Sequence, residues 1–167
     1  MKQQDMFQTI PDELKTKLEW VYGIRSHDTR NALQYTAGFL GAQTMPVEEE
    51  MPDKNEKQHN ELIYFVASIV ILFNTTVNKQ RFYIGHDQEV ISVAVSTVGG
   101  EFIASAEMAL VPSIHVWERR SLETLSVIKG DHASGVHLMS FTLDNKFLVT
   151  CGITNPSAVI IYDWRAG

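Results

Sequence analysis

The chain carries a single cysteine, Cys151, among 167 residues, so no disulfide forms within it, a usage that fits a reducing compartment. Its longest apolar run, Leu62 to Phe73, has 12 residues, whereas a helix crossing a bilayer needs about 20. No basic segment followed by an apolar one opens the sequence, so a secretory leader is not expected. Together these absences predict a cytosolic protein that does not engage a membrane. There is also no stripe of Lys and Arg: 14 cations face 20 acids, for a net charge of −6. Nucleic-acid binding by phosphate neutralisation is therefore not expected.

Motifs of catalysis are missing as well. The sequence has no GxSxG elbow, no HExxH, no phosphate-cradling GxxxxGKS/T, no cysteine cluster for zinc and no EF-hand loop. His27–Asp28 and Asp131–His132 are adjacent pairs, but neighbours on a strand point to opposite faces and make poor acid–base partners. The expectation is a protein that is not an enzyme and uses no metal and no cofactor.

What is present falls into four stretches. Residues 1–17 form an N-terminal arm in which Thr9 as cap, Pro11, and the acids Asp12 and Glu13 predict a short helix. Residues 18–37 hold Trp20, Tyr22 and Tyr35 on a segment of no regular period, closing on a short alternating strand between Asn31 and Thr36. Residues 38–61 carry two Lys against six acids, with two prolines and no periodicity, and read as an acidic loop insertion on the surface, with an acidic partner-binding arm as the alternative. Residues 62–167 change to short β-branched and aromatic strands separated by "VGGE", "LDNK" and "GITNPS".

Within that last stretch the chain repeats itself. Phe102–Ser105 aligns with Phe147–Thr150, and Ile114–Trp117 with Val159–Tyr162, both at an offset of 45 residues; Ala94–Ser96 aligns with Ser140–Thr142 at 46. A unit of about 45 residues with Gly-His near its start and Trp-acid near its end is the signature of a WD40-type β-propeller blade. Gly85–His86 and Trp117–Glu118 mark one unit; Asp131–His132 and Tyr162–Asp163 mark a degenerate second. The expected fold is all-β, an incomplete propeller of two to three blades. In such blades the histidine, a strand Ser or Thr and the Trp bond in series, satisfying polar groups buried between strands. The series here are His86, Ser105 and Trp117, then His132, Thr150 and Tyr162. The usual turn aspartate is missing from both, which predicts an incomplete network in each.

The stretches "VYGIRSHDTRNALQYTA", "IYFVASIVILFN", "QRFYIGHDQEVISVAV" and "VIIYDWRAG" together resemble the echinoderm microtubule-associated protein-like family. In that family a hydrophobic signature, the HELP motif, precedes atypical WD40 blades. Trp20, Val21, Tyr22, Gly23, Arg25, Arg30, Asn31, Leu33 and Tyr35 stand where the signature expects them; Ile24, Ser26 and Thr29 depart from it. The resemblance implies that the segment folds into the propeller, giving it a strand and buried aromatics. Trp20, Tyr22 and Tyr35 are accordingly expected to pack under the blades, with a solvent-facing tubulin contact as the alternative.

The resemblance further implies a non-catalytic microtubule-associated or axonemal structural protein of the cytoplasm, cytoskeleton or cilium. Its partners would be tubulin, the microtubule or microtubule-bound proteins, with a generic WD40 scaffold in a larger complex as the other reading. Arg119 and Arg120, in a turn after a blade's Trp-acid pair, are candidate partner contacts, as are Lys79/Arg81 and Lys15/Lys17. An unclosed stack of blades leaves a sheet face bare. The chain is therefore expected to be a fragment, or to need further blades or a partner chain to complete its fold.

Overall fold

The structure is a computed structural model that describes residues 17–25, 29, 32–36, 61–154 and 156–166. Among these residues there are eleven strands and no helix. The short helix expected near Thr9 and the body of the acidic insertion lie outside the described residues. The strands are β1 (Leu33–Tyr35), β2 (Glu61–Val66), β3 (Ile69–Asn74), β4 (Lys79–Tyr83), β5 (Val90–Val95), β6 (Phe102–Glu107), β7 (Ser113–Glu118), β8 (Thr124–Lys129), β9 (Val136–Phe141), β10 (Leu148–Gly152) and β11 (Val159–Tyr162).

They form three antiparallel sheets whose spatial order follows the chain: β1–β4, β5–β8 and the three-stranded β9–β11. Each is a meander, with successive strands paired by short turns. This is the blade architecture that the 45-residue repeat predicts. The strand expected between Asn31 and Thr36 is β1, which pairs with β2 through Leu33↔Tyr64 and Tyr35↔Leu62. The first sheet thus takes its first strand from across the insertion. The boundary of that insertion needs one correction. Glu61, assigned to the loop on its charge, is the first residue of β2 and is buried. An acid read as part of a solvated run is folded into a sheet because Arg81 meets it there.

Period-two alternation splits the middle sheet into two working faces. Val93, Ile103 and Trp117 face the first sheet and pack with Ile63, Phe65, Val70, Leu72 and Tyr83. Ala94, Ala104, Ala106, Ile114 and Val116 face the third and pack with Val136, Phe141, Leu148 and Trp164. A sheet covered on both sides has few polar positions to spare, which is why "FIAS" and "IHVW" are apolar but for Ser105 and His115. Each large side chain so buried contributes about 1.5–3 kcal/mol. Hydrogen bonds tie the sheets together as well. Val90 N–H donates to the Ala67 carbonyl at 2.8 Å, and the Ser92 hydroxyl to the Val136 carbonyl at 2.6 Å.

The 45-residue offset also places Arg119 and Trp164 at the same turn in successive blades. Trp164 is buried between Phe102 (centroids 5.1 Å) and Phe141 (6.1 Å), with the Arg165 guanidinium 4.2 Å over its ring. Arg119 is buried between the first and second sheets, its Nη1 3.9 Å from Glu61 Oε2. One junction is closed by rings, the other by ions.

Candidate functional site: a buried polar network between blades

Gly85 precedes His86 because nothing larger fits: a Cβ there runs into the ring of Tyr83. That tight passage drops the imidazole of His86 between the first and second sheets, where it is fully enclosed. Its Nε2 lies 2.7 Å from Ser105 Oγ, and the Trp117 indole N–H donates to the same oxygen at 3.0 Å. The structure therefore joins His86, Ser105 and Trp117 in one series.

The expectation that the network lacks its acid is overturned. Glu107 stands two residues beyond Ser105 on β6, and so on the same face of the strand. Its Oε2 lies 3.3 Å from His86 Nδ1. The other carboxylate oxygen accepts the Ser113 hydroxyl at 2.6 Å, and the Gln88 backbone N–H donates to Oε2 at 3.2 Å. The strand supplies the acid that the turn lacks, and the spacing Ser-x-Glu is its signal in the sequence.

The series continues through residues that the sequence did not single out. Ser113 Oγ lies 3.1 Å from His115 Nε2. His115 Nδ1 lies 2.8 Å from the Tyr83 hydroxyl, which is 2.8 Å from Thr124 Oγ1. Burial and the neighbouring His115 push the His86 pKa down to about 4, the carboxylate of Glu107 opposing them only in part. Burial likewise lowers His115. Both rings are therefore neutral at neutral pH, which fixes the protons. The carboxylate beside Nδ1 of His86 requires a proton there, so Nε2 accepts from Ser105. Ser113 donates to Glu107, so its oxygen accepts from His115 Nε2–H. Nδ1 of His115 then accepts the Tyr83 O–H, and the Tyr83 oxygen accepts from Thr124. Each link holds one proton, and two chains of donors converge on Glu107. Burial acts to raise the pKa of Glu107, but these donors together outweigh it and hold the group below the usual carboxylate range.

The second unit has only half of this. His132 Nε2 lies 2.7 Å from Thr150 Oγ1, but Tyr162 does not complete the series. Its ring stands edge-on to His132 with centroids 6.4 Å apart. Burial and the neighbouring Asp131 carboxylate raise the pKa of its hydroxyl. A phenol carries its polar atom at the ring tip, out of reach of the oxygen that an indole N–H meets from the ring side. The residue equivalent to Glu107 is Gly152, where a Cβ would approach His132 Nδ1 to 2.7 Å. No carboxylate fits there.

The segment ahead of β1 departs from expectation. Trp20 packs edge-on against Phe73, centroids 5.7 Å apart, and is partly buried. Tyr22 is 84% exposed and Tyr35 53% exposed, so neither packs beneath a blade. Gly23 takes a φ of +88°, turning the chain so that Tyr22 points outward. The segment is held instead by polar contacts. Val21 N–H donates to Gln80 Oε1 at 2.8 Å, Gln80 Nε2 donates to the Val21 carbonyl at 3.0 Å, and Arg25 Nη1 lies 2.7 Å from Glu89 Oε2. Arg30 and Asn31 lie outside the described residues.

The candidate contacts Arg119 and Arg120 part company. Arg119 is 1% exposed, its side chain turned inward because Glu61 lies beneath it. Burial lowers its pKa against the opposing pull of Glu61. Arg81 closes on the same carboxylate, with Nη2 at 3.0 and 3.1 Å from its two oxygens. Arg120 remains exposed, with its carbonyl accepting from Arg81 Nη1 at 2.9 Å. Of the pair, Arg120 alone is exposed.

No group of three His, Cys, Asp or Glu stands ready to hold a metal among the described residues. Chemically, the network satisfies buried polar groups and locks two blades together.

No family model matches the chain. Comparison with curated proteins finds three representative relatives. The chain is 30% identical over 173 aligned residues to mouse echinoderm microtubule-associated protein-like 4, covering 96% of this chain and 15% of that protein. It is 29% identical over 163 to human echinoderm microtubule-associated protein-like 1, covering 90% and 17%. It is 31% identical over 159 to the 77 kDa echinoderm microtubule-associated protein of the sea urchin Lytechinus variegatus, covering 90% and 21%. The chain thus spans about a fifth or less of the length of these relatives.

Proposed function

We propose that this chain, a relative of the echinoderm microtubule-associated protein-like proteins, is a non-catalytic, microtubule-associated structural protein of the cytoplasmic cytoskeleton. It would bind tubulin or microtubule-bound proteins through blade surfaces. The observation that carries this reading is the identity of 29–31% over 90–96% of the chain to proteins bearing that name. A ciliary or axonemal address extends the same proposal.

Interior chemistry supports a structural role. His86 and His115, the groups best suited to proton transfer, are neutral, enclosed and fully engaged with neighbours. The contact surface must then be built from what is exposed. With Arg119 buried and Arg81 engaged by Glu61, the cations open to an acidic partner include Arg120, Lys17 and Lys79. Lys17 and Lys79 line one groove of about 310 Å3 with Trp20 and Phe82. Tyr22 stands exposed on the same segment, favouring the solvent-facing alternative for this aromatic. A net charge of −6 gives no overall attraction to an acidic lattice, so binding would rest on such local cations and on fit.

Co-sedimentation with taxol-stabilised microtubules at two salt concentrations tests the proposal. The expected result is pelleting at low salt that weakens at high salt, and weakens further in Lys17→Glu/Lys79→Glu. Failure to pellet at low salt would overturn it.

A further inference from the structure

The loop from Met108 to Pro112 carries "MALVP" between β6 and β7 and turns its aliphatic side chains outward: Leu110 is 90% exposed and Val111 58%. Loops of this kind usually move, but this one is pinned at both ends. Met108 N–H donates to the Glu89 carbonyl at 2.8 Å. At the other end Pro112 is buried, and Ser113 N–H and Oγ–H both reach Glu107, at 3.3 and 2.6 Å. The crest is therefore held in place by the buried network beneath it, so a ligand meeting it need not order it first.

Carboxylates stand on both flanks of the crest, the one on the second flank beside a lysine. The loop that bonds Met108 carries exposed Asp87 and Glu89. On the other side Pro112 lines a small void with Asp131 and Lys129. The cations nearby are Lys129 and Arg25, and Arg25 is paired to Glu89 at 2.7 Å. The histidines below, His86, His115 and His132, all have lowered pKa values from burial, so they add no positive charge near neutral pH. This end of the blades presents fixed aliphatic side chains between carboxylates.

We infer that this crest is a docking surface for a protein segment that carries aliphatic side chains among lysines and arginines. Leu110 and Val111 would be covered by the partner's apolar residues, and Asp87 and Asp131 would meet its cations. An acidic tail is disfavoured here by the same charges, so this surface is distinct from the cationic groove proposed for the microtubule. It does not depend on that proposal.

The test is a fluorescence-anisotropy titration of the intact protein, free of microtubules, with two short synthetic peptides: one alternating Leu with Lys, the other Leu with Glu. The Leu–Lys peptide is expected to bind, and the Leu–Glu peptide roughly tenfold or more weaker. Leu110→Ser is expected to weaken the Leu–Lys peptide about tenfold, and Asp87→Lys/Asp131→Lys to reverse the preference. Asp144→Lys/Asp163→Lys, at the opposite ends of the strands, is the control and should change neither affinity. The inference is overturned if neither peptide binds, if both bind alike, if Leu110→Ser has no effect, or if the control pair acts as strongly as Asp87 and Asp131. Because no microtubule is present, failure here leaves the co-sedimentation result to stand by itself.

Discussion

His86 and His115 lie face to face between two blades, ring centroids 4.0 Å apart and planes 22° from parallel, and the hydrogen bonds around them place both in the neutral form with opposite tautomers. The carboxylate of Glu107 is the common end of both donor chains. Two enclosed neutral rings stacked in this way resist protonation, which makes the junction sensitive to acid.

The first prediction follows from the direction of those shifts. His86 is held near 4 in the folded protein, against about 6.5 when unfolded. Below pH 6.5 the unfolded chain takes up a proton that the folded one refuses, so stability is full above about 6.5 and falls as pH drops towards 4. The loss from His86 alone is about 3 kcal/mol, and His115 and His132 act in the same sense. Urea midpoints measured from pH 7 to 4.5 should fall steadily, and the slope should flatten in His86→Asn. A midpoint constant over that range contradicts the neutral-pair assignment.

Glu107 is the next. Replacing it with Gln leaves the His86 Nδ1–H, the Gln88 N–H and both donors of Ser113 without their charged acceptor. Hydrogen bonds to a charged group of this kind contribute about 1.5–3 kcal/mol each, net. We expect Glu107→Gln to lower stability by about 2–3 kcal/mol, read as a fall in thermal midpoint. Ser105→Ala, which breaks the other arm, should be strongly non-additive with it, because both act on one network.

Glu61 tests the ionic junction. Its carboxylate is shared by Arg81 and the buried Arg119, so Glu61→Gln leaves a guanidinium enclosed with one acceptor charge fewer. Breaking a buried pair from one side costs about 3–5 kcal/mol. The double variant Glu61→Gln/Arg119→Met should recover a large part of that loss in chemical denaturation. If it is no better than Glu61→Gln alone, Arg119 draws no stability from Glu61.

The degenerate blade offers a gain rather than a loss. In the second blade an indole N–H bonds the strand hydroxyl, while in the third Tyr162 fails to reach Thr150. Tyr162→Trp is expected to supply that bond and to stabilise the chain by about 1 kcal/mol. The Thr150→Ala background should abolish the gain.

The sequence by itself determined the blades. An offset of 45 residues, period-two alternation and turn residues at each gap placed the strands, and His86, Ser105, Trp117, His132 and Thr150 were legible because their spacing recurs. Local pattern carries this information because strand pairing in a meander links neighbours along the chain. What the sequence left open lies where distant segments meet. By local pattern Glu61 belongs to a solvated acidic run and Arg119 to an outward turn; β2, β4 and the turn after β7 bring the two together with Arg81. The resemblance implies that Tyr22 packs under a blade, but whether a ring is covered depends on what packs over it, and Gly23 turns it away. Glu107 likewise became the meeting point of two hydrogen-bond chains only once β6 faced the His86 loop. Periodicity along one chain specifies which residues share a face; only the packing of one face upon another decides which charges are buried and what they bond.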